Sequence, residues 1–172
     1  MNLIFQISAK IKGIFSKYTN FSVKGTTSHI KIDIQSEKVY KRVMIFKEYK
    51  IIQNEIKWLE LLSDSGITPK FISINANTIC MSYMGENITK ENLPSNWKEQ
   101  IKNISDILNN YNCFHNDIKI SDILIKGGKL KLIDFQWATT KGEKIPNTWP
   151  KYLSNKSTYD NLRALEKAVE NL

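Results

Sequence analysis

Apolar and polar residues alternate along 20–45 with the period of two that half-buried strands require, in NFSVKG, SHIKIDI and EKVYKRVMI, around turn-like punctuation. The period then changes. In FKEYKIIQNEIKWLELL apolar side chains return every third or fourth position, which predicts a helix that stops near Ser63 to Gly66. Beyond Pro69, KFISI and TICMSYM predict two further strands about a turn at Asn75, Ala76 and Asn77. Five strands interrupted by one helix make a small α+β unit.

After Gly85 and a polar connector containing Pro94, NWKEQIKNISDILNNY carries helical spacing again. DILI, Gly127-Gly128 and KLKLIDF then predict a hairpin, the glycine pair meeting the positive-φ demand of a tight turn. KGEKIPNTWPKYLSNKSTY reads as an irregular loop, and YDNLRALEKAVENL as a last helix. At the other end, Leu3, Ile4, Ile7, Ile11, Ile14 and Phe15 fall on one helical face, with Lys10, Lys12 and Lys17 among the remaining positions. That face suits either packing on its own domain or lying on an anionic membrane surface.

Composition narrows the class. With 172 residues, 41% hydrophobic, the chain supports one core and a single domain over 1–172. A formal charge of +8 favours polyanionic partners without choosing among them. No nucleic-acid role is expected, since basic residues interleaved with exposed aromatics on one surface are not read from this pattern. Cys80 and Cys113 sit in apolar surroundings without metal spacing, as buried thiols in a reducing compartment do. No run approaches the ~18 apolar residues of a membrane span, and the opening lacks the pattern of a secretory signal. The expectation is a cytoplasmic protein, with peripheral contact at the inner membrane face through residues 1–18 as its alternative.

The chemistry concentrates in FHNDIKISDILIKGGKLKLIDFQWA, residues 114–138. The hairpin brings Asp117 and Asp122 towards Asp134. Carboxylates gathered in this way repel unless a cation lies between them, and oxygen ligands suit Mg²⁺. The order His115-x-Asp117, then Asp122, then Leu132-Ile133-Asp134-Phe135 resembles the catalytic loop and metal motif of the protein-kinase-like superfamily. That resemblance implies ATP and Mg²⁺ as cofactors, Asp117 as the residue that takes or orients the hydroxyl proton, and Asp122 and Asp134 as metal ligands. Lys119 matches the loop lysine that meets the γ-phosphate, and His115 a scaffold residue. Upstream, Val39 and Lys41 match the adenine-contacting apolar residue and the phosphate-holding lysine, and Glu55 the helix partner of that lysine. Ser82 and Met84, with Tyr83 between them, match the backbone that meets adenine. The implied fold is a reduced bilobal one: an N-lobe antiparallel sheet with one helix over 19–84, and a shortened, mainly helical C-lobe over 85–172.

Several positions depart from the pattern. Asp122 stands where the family usually has Asn, Gln136 replaces the glycine after Asp-Phe, and FSVKGTTSHI keeps only Gly25 of a glycine-rich loop, leaving Thr26 to Ser28 to cover phosphates. The short stretch after Asp134 has no A-P-E motif and little room for a peptide-binding segment. "HND", "LIDFQWA" and YDNLRAL look more like bacterial lipopolysaccharide-core sugar kinases and choline or aminoglycoside kinases. The expected acceptor is therefore a hydroxyl-bearing glycan or small molecule. A Ser/Thr protein kinase, favoured by Lys119, and an inactive relative serving as a binding module are the alternatives. Trp137, Trp149 and Tyr152 are expected in the core before a substrate pocket.

Overall fold

A computed structural model describes residues 20–24, 28–44, 49–144, 146, 149–150, 153 and 159–172. The opening amphipathic segment, Gly25 to Thr27 and Tyr152 lie outside the described residues.

Strands β1 (Asn20–Lys24), β2 (Ser28–Asp33) and β3 (Lys38–Val43) form an antiparallel meander. Strands β4 (Phe71–Asn75) and β5 (Thr78–Ser82) complete a five-stranded sheet of order β1-β2-β3-β5-β4. Helix α1 (Tyr49–Leu61) connects β3 to β4, so the strands and helix follow the predicted order. In β3, the central strand, Val39, Lys41 and Val43 share one face by the alternation of the pleat. On α1 and just beyond it, Ile52, Glu55, Ile56, Leu59 and Leu62 recur at helical spacing, and all are buried. One lysine and one glutamate thus occupy positions where each periodicity asks for an apolar residue.

The remaining elements carry the acidic loop. Strand β6 (Glu86–Asn87) pairs with β8 (Ile123–Lys126), which pairs with β9 (Lys129–Leu132). Gly127 and Gly128, at φ +58° and +73°, make the predicted tight turn of that hairpin. Helix α2 (Trp97–Asn110) buries Ile101, Ile104 and Leu108. The short strands β7 (Cys113–Phe114) and β10 (Thr139–Thr140) pair across the acidic segment. Helix α3 (Asn161–Glu170) starts at Asp160, whose carboxylate accepts the Arg163 N–H at 3.1 Å. From Gly85 onward the described residues hold two helices and five short antiparallel strands, so the expected helix is accompanied by more strand than the one predicted hairpin. Cys80 and Cys113 are buried free thiols, as expected. No helix among the described residues is long and apolar enough to cross a membrane.

Gly85 joins the two sheets at close range. Its φ is +105°, and a Cβ there would stand 2.0 Å from the Ile125 carbonyl oxygen, a backbone atom that cannot step aside. Gly85→Ala should therefore destabilise the protein by more than about 1 kcal/mol, read as a lower urea midpoint with an unchanged slope.

Candidate functional site

The sheet and α1 bring Lys41 and Glu55 into contact inside the protein. The Lys41 Nζ donates to Glu55 Oε1 and Oε2, each at 2.9 Å, and to Asp134 Oδ1 at 2.6 Å. Lys41 and Glu55 are almost fully buried, at 5% and 2% exposure, whereas the Asp134 side chain keeps 29% of its surface accessible. Burial alone would lower the Lys41 pKa, but the carboxylates of Asp134 and Glu55 outweigh it and hold the ammonium charged well above the usual lysine range. Burial also works against ionised Asp134, yet Lys41 pulls its carboxyl below the ordinary value. For Glu55, burial prevails over Lys41 and raises the carboxyl.

The acidic loop leaves β7 and passes through His115, Asn116 and Asp117, all buried. The His115 ring stands edge-on to Phe135, with centroids 4.8 Å apart. Its Nε2 lies 3.0 Å from the Ile133 carbonyl oxygen. A carbonyl can only accept, so Nε2 carries the hydrogen. Burial lowers the imidazole pKa and keeps the ring neutral. His115 braces the residues on both sides of Asp134 in this way, the scaffold role its position implied.

Asp117 accepts from Lys119 Nζ at 2.6 Å. The Lys119 backbone N–H donates to Asp122 Oδ2 at 2.9 Å, and the Ser121 hydroxyl to Asp122 Oδ1 at 3.1 Å. A backbone bond from the Ile133 N–H to the Asp122 carbonyl, 2.9 Å, ties this turn to the approach of Asp134. Asp134 itself has φ +69°, a left-handed conformation that directs the chain into the 3₁₀ turn Phe135–Trp137. Gln136 lies in that turn without a positive φ, so its backbone makes no demand for glycine.

Burial, joined by the charge of Asp134, pushes the Asp122 carboxyl up to about 7, against the pull of the Lys119 N–H and ammonium. A carboxyl raised above its unfolded value of 3.8 binds its proton more tightly when folded. In protein freed of divalent ions, its contribution to stability is complete below about pH 4 and is lost as pH rises towards about 7. Asp122→Asn should remove that dependence. Urea unfolding in EDTA should show the variant gaining on wild type from about pH 4 to about pH 7 and holding constant above.

Mg²⁺ in phosphate-binding sites takes one or two carboxylates and completes its shell with phosphate oxygens and water. Among the described residues there is no cluster of three or more His, Cys, Asp or Glu side chains that would hold a metal unaided. Asp122 and Asp134 would supply such carboxylates, and a bound cation would ease the Asp134 repulsion that adds to burial in raising Asp122.

Val39 shares the Lys41 face of β3, while the Ser82 hydroxyl donates to Met84 Sδ at 3.7 Å. Val39 faces Met81 across β3 and β5, and Ser82 closes the next strand position. The Ser82 N–H and hydroxyl oxygen are both bonded to Lys70, its N–H donating to the Lys70 carbonyl at 3.0 Å and its Oγ accepting the Lys70 N–H at 2.9 Å. The Tyr83 N–H donates to Glu37 O at 2.8 Å. Trp137 is buried in the core, as expected, and its ring stands edge-on to the half-buried Trp149 at 5.2 Å.

Other anchors of the site carried no sequence signal. Asn161 Oδ1 accepts the His115 N–H at 3.2 Å, and its Nδ2 donates to Cys113 O at 2.8 Å, so the start of α3 grips the entry to the loop. The Tyr159 hydroxyl accepts the Ile118 N–H at 3.1 Å. Asn54 Nδ2 donates to Gln136 O at 3.0 Å and Ala138 O at 2.8 Å, and Trp58 Nε1 also donates to Ala138 O, at 3.0 Å. An amide at a helix position that faces neither the apolar stripe nor open solvent is the most that sequence offers for Asn54.

No protein-family model matches the chain, and no curated protein sequence matches it. Solved structures do, through 781 chains, and a shared architecture does not by itself select a function. One is the Rio2 kinase–ADP/Mg²⁺–phosphoaspartate complex from Chaetomium thermophilum, with TM-score 0.62, 15% identity, and coverage of 98% of this chain and 60% of that one. The chain spans less than two thirds of that kinase. At this identity the likeness is one of fold, and the fold is protein-kinase-like.

Proposed function

We propose that the protein is an ATP- and Mg²⁺-dependent phosphotransferase of reduced, two-lobed kinase-like form, moving the γ-phosphate to a hydroxyl of a glycan or small molecule. The observation that carries this reading is the buried Lys41 ammonium held at once by Glu55 and by Asp134 from the distant acidic segment. A lysine kept charged at the border between the sheet and that segment is suited to the α and β phosphates of ATP. Glu55 fixes its direction. Val39 and the backbone of Ser82 and Met84 would line the adenine end, and Asp134 with Asp122 would hold the metal. Mg²⁺ bound there would neutralise charge developing on the phosphates. Asp117 accepts the acceptor hydroxyl proton as that oxygen bonds to the γ-phosphorus and the bond to the departing ADP breaks. Lys119 leaves the Asp117 carboxylate to meet the transferred phosphoryl group.

A second reading, a nucleotide-binding module without turnover, has its own support. Asp122 already accepts hydrogen bonds on both oxygens from its own loop, and Asp134 is held by Lys41. Incubation of purified protein with γ-labelled ATP, Mg²⁺ and crude cellular fractions distinguishes the two. Label in extracted glycans or metabolites supports the transferase, and label on other proteins redirects it to a protein kinase. Mg·ATP that raises the melting temperature with no label moved supports the module. Hydroxylamine-labile label on the protein itself would indicate an acyl phosphate such as phosphoaspartate, the species present in the Rio2 structure. Neither binding nor transfer would overturn both readings.

A further inference from the structure

The strap that follows Asp134 is held from two sides by amides of two asparagines. From α1, Asn54 Nδ2 reaches the carbonyls of Gln136 and Ala138 at 3.0 and 2.8 Å. From the acidic loop, Asn116 Nδ2 reaches the intervening carbonyl of Trp137 at 2.8 Å and the Thr139 hydroxyl at 2.9 Å. Successive carbonyls of one short stretch thus alternate between the helix that carries Glu55 and the loop that carries Asp117. Asn54 precedes Glu55, and Asn116 precedes Asp117. Asn116 has φ +67°, a left-handed conformation that asparagine tolerates better than most side chains. Residues 136–139 are all buried, so their carbonyls have little access to replacement water. Trp58, one turn beyond Asn54 on the same face, adds a third donor at Ala138 O, 3.0 Å, and stiffens the helix side.

We infer that Asn54 and Asn116 are a pair of positioning residues that clamp 136–139 from opposite sides, and thereby hold Glu55, Asp134 and Asp117 in one fixed arrangement before any ligand binds. The inference rests on the proposed phosphotransferase site for its consequence in catalysis, but not for the clamp itself. Sliding or rotation of α1 would break the bonds to 136 and 138 as well as the Lys41 contact. The helix and the loop therefore move together or not at all.

Hydrogen exchange read by mass spectrometry tests the clamp on wild type and Asn54→Leu, well below the melting temperature of each. Exchange should rise about tenfold across 135–140, as expected for local opening after loss of buried hydrogen bonds, and the rise should extend into 113–118 on the opposite side. Turnover in the same variant should show kcat falling about tenfold with KM for ATP little altered, the mark of misplacement before chemistry and not of weaker binding. Faster exchange confined to 49–61, with kcat unchanged, would overturn the inference and leave Asn54 a structural residue. If wild type transfers no phosphate, the kinase reading fails alone and exchange decides: spread into 113–118 upholds the clamp, confinement to α1 rejects it. Should Asn54→Leu not fold, Asn116→Gly, which suits the backbone at φ +67°, gives the reciprocal reading. Its exchange must rise in 49–61 for the clamp to stand.

Discussion

Asp134→Asn should lower phosphoryl transfer by a factor on the order of 10²–10³, the usual cost of removing one charged or polar group from a preorganised electrostatic site, while leaving the fold intact. The substitution conserves shape and takes away the charge that Lys41 grips at 2.6 Å. Folding should tolerate it, because Lys41 retains both oxygens of Glu55. Stabilisation by Mg·ATP should vanish, since a ligand raises apparent stability only through a competent site. The change should also reach Asp122. The Asp134 charge is one of the causes holding that carboxyl at about 7, so its removal should shift the pH dependence of Asp122 downward. Full transfer by Asp134→Asn, with an unaltered response to Mg·ATP, would remove Asp134 from the site.

What sequence made legible of the ionic site was the order and spacing of Lys41, Glu55, Asp117, Asp122 and Asp134, which resemble those of the kinase-like superfamily; the break in each period shows only in the structure. Lys41 interrupts the covered face of β3 between Val39 and Val43, and Glu55 interrupts the buried stripe of α1. Charged residues are almost never buried unless paired, and the structure pairs these two. The tight turn of the β8–β9 hairpin was legible for a different reason, since only a residue pair tolerant of positive φ meets it at low cost. What stayed hidden depends on backbone carbonyls, which carry no residue identity. Asn54, Asn116 and Asn161 all act through carbonyls or amides of segments remote in sequence, and nothing in an asparagine's neighbours along the chain announces such a partner. The strand content after Gly85 was underread for a related reason. Two-residue strands such as β6, β7 and β10 are too short to display a period, and exist because their partners are already in place.

The buried ion pair gives the largest expected change in stability. Lys41→Met should cost about 3–5 kcal/mol, because it leaves a carboxylate in the interior without its compensating charge. Glu55 cannot turn outward, at 2% exposure, whereas Asp134 retains a path to water. Glu55→Leu should cost less, since Lys41 keeps Asp134 at 2.6 Å. The double variant should recover most of the loss of Lys41→Met, as replacing both partners of a buried pair by apolar groups removes the desolvation penalty along with the attraction. The penalty of Lys41→Met should also depend on pH. Burial already raises Glu55, and loss of the lysine that pulls it down raises it further. An acid whose folded pKa lies above its unfolded one contributes most when protonated, so the variant should lose least in mild acid and progressively more as pH rises through that folded value. Urea unfolding of the four proteins at acidic and neutral pH closes the cycle. Costs that simply add would mean that Lys41 and Glu55 do not bear on one another in solution, and a lysine without that partner has no fixed direction towards a nucleotide's phosphates.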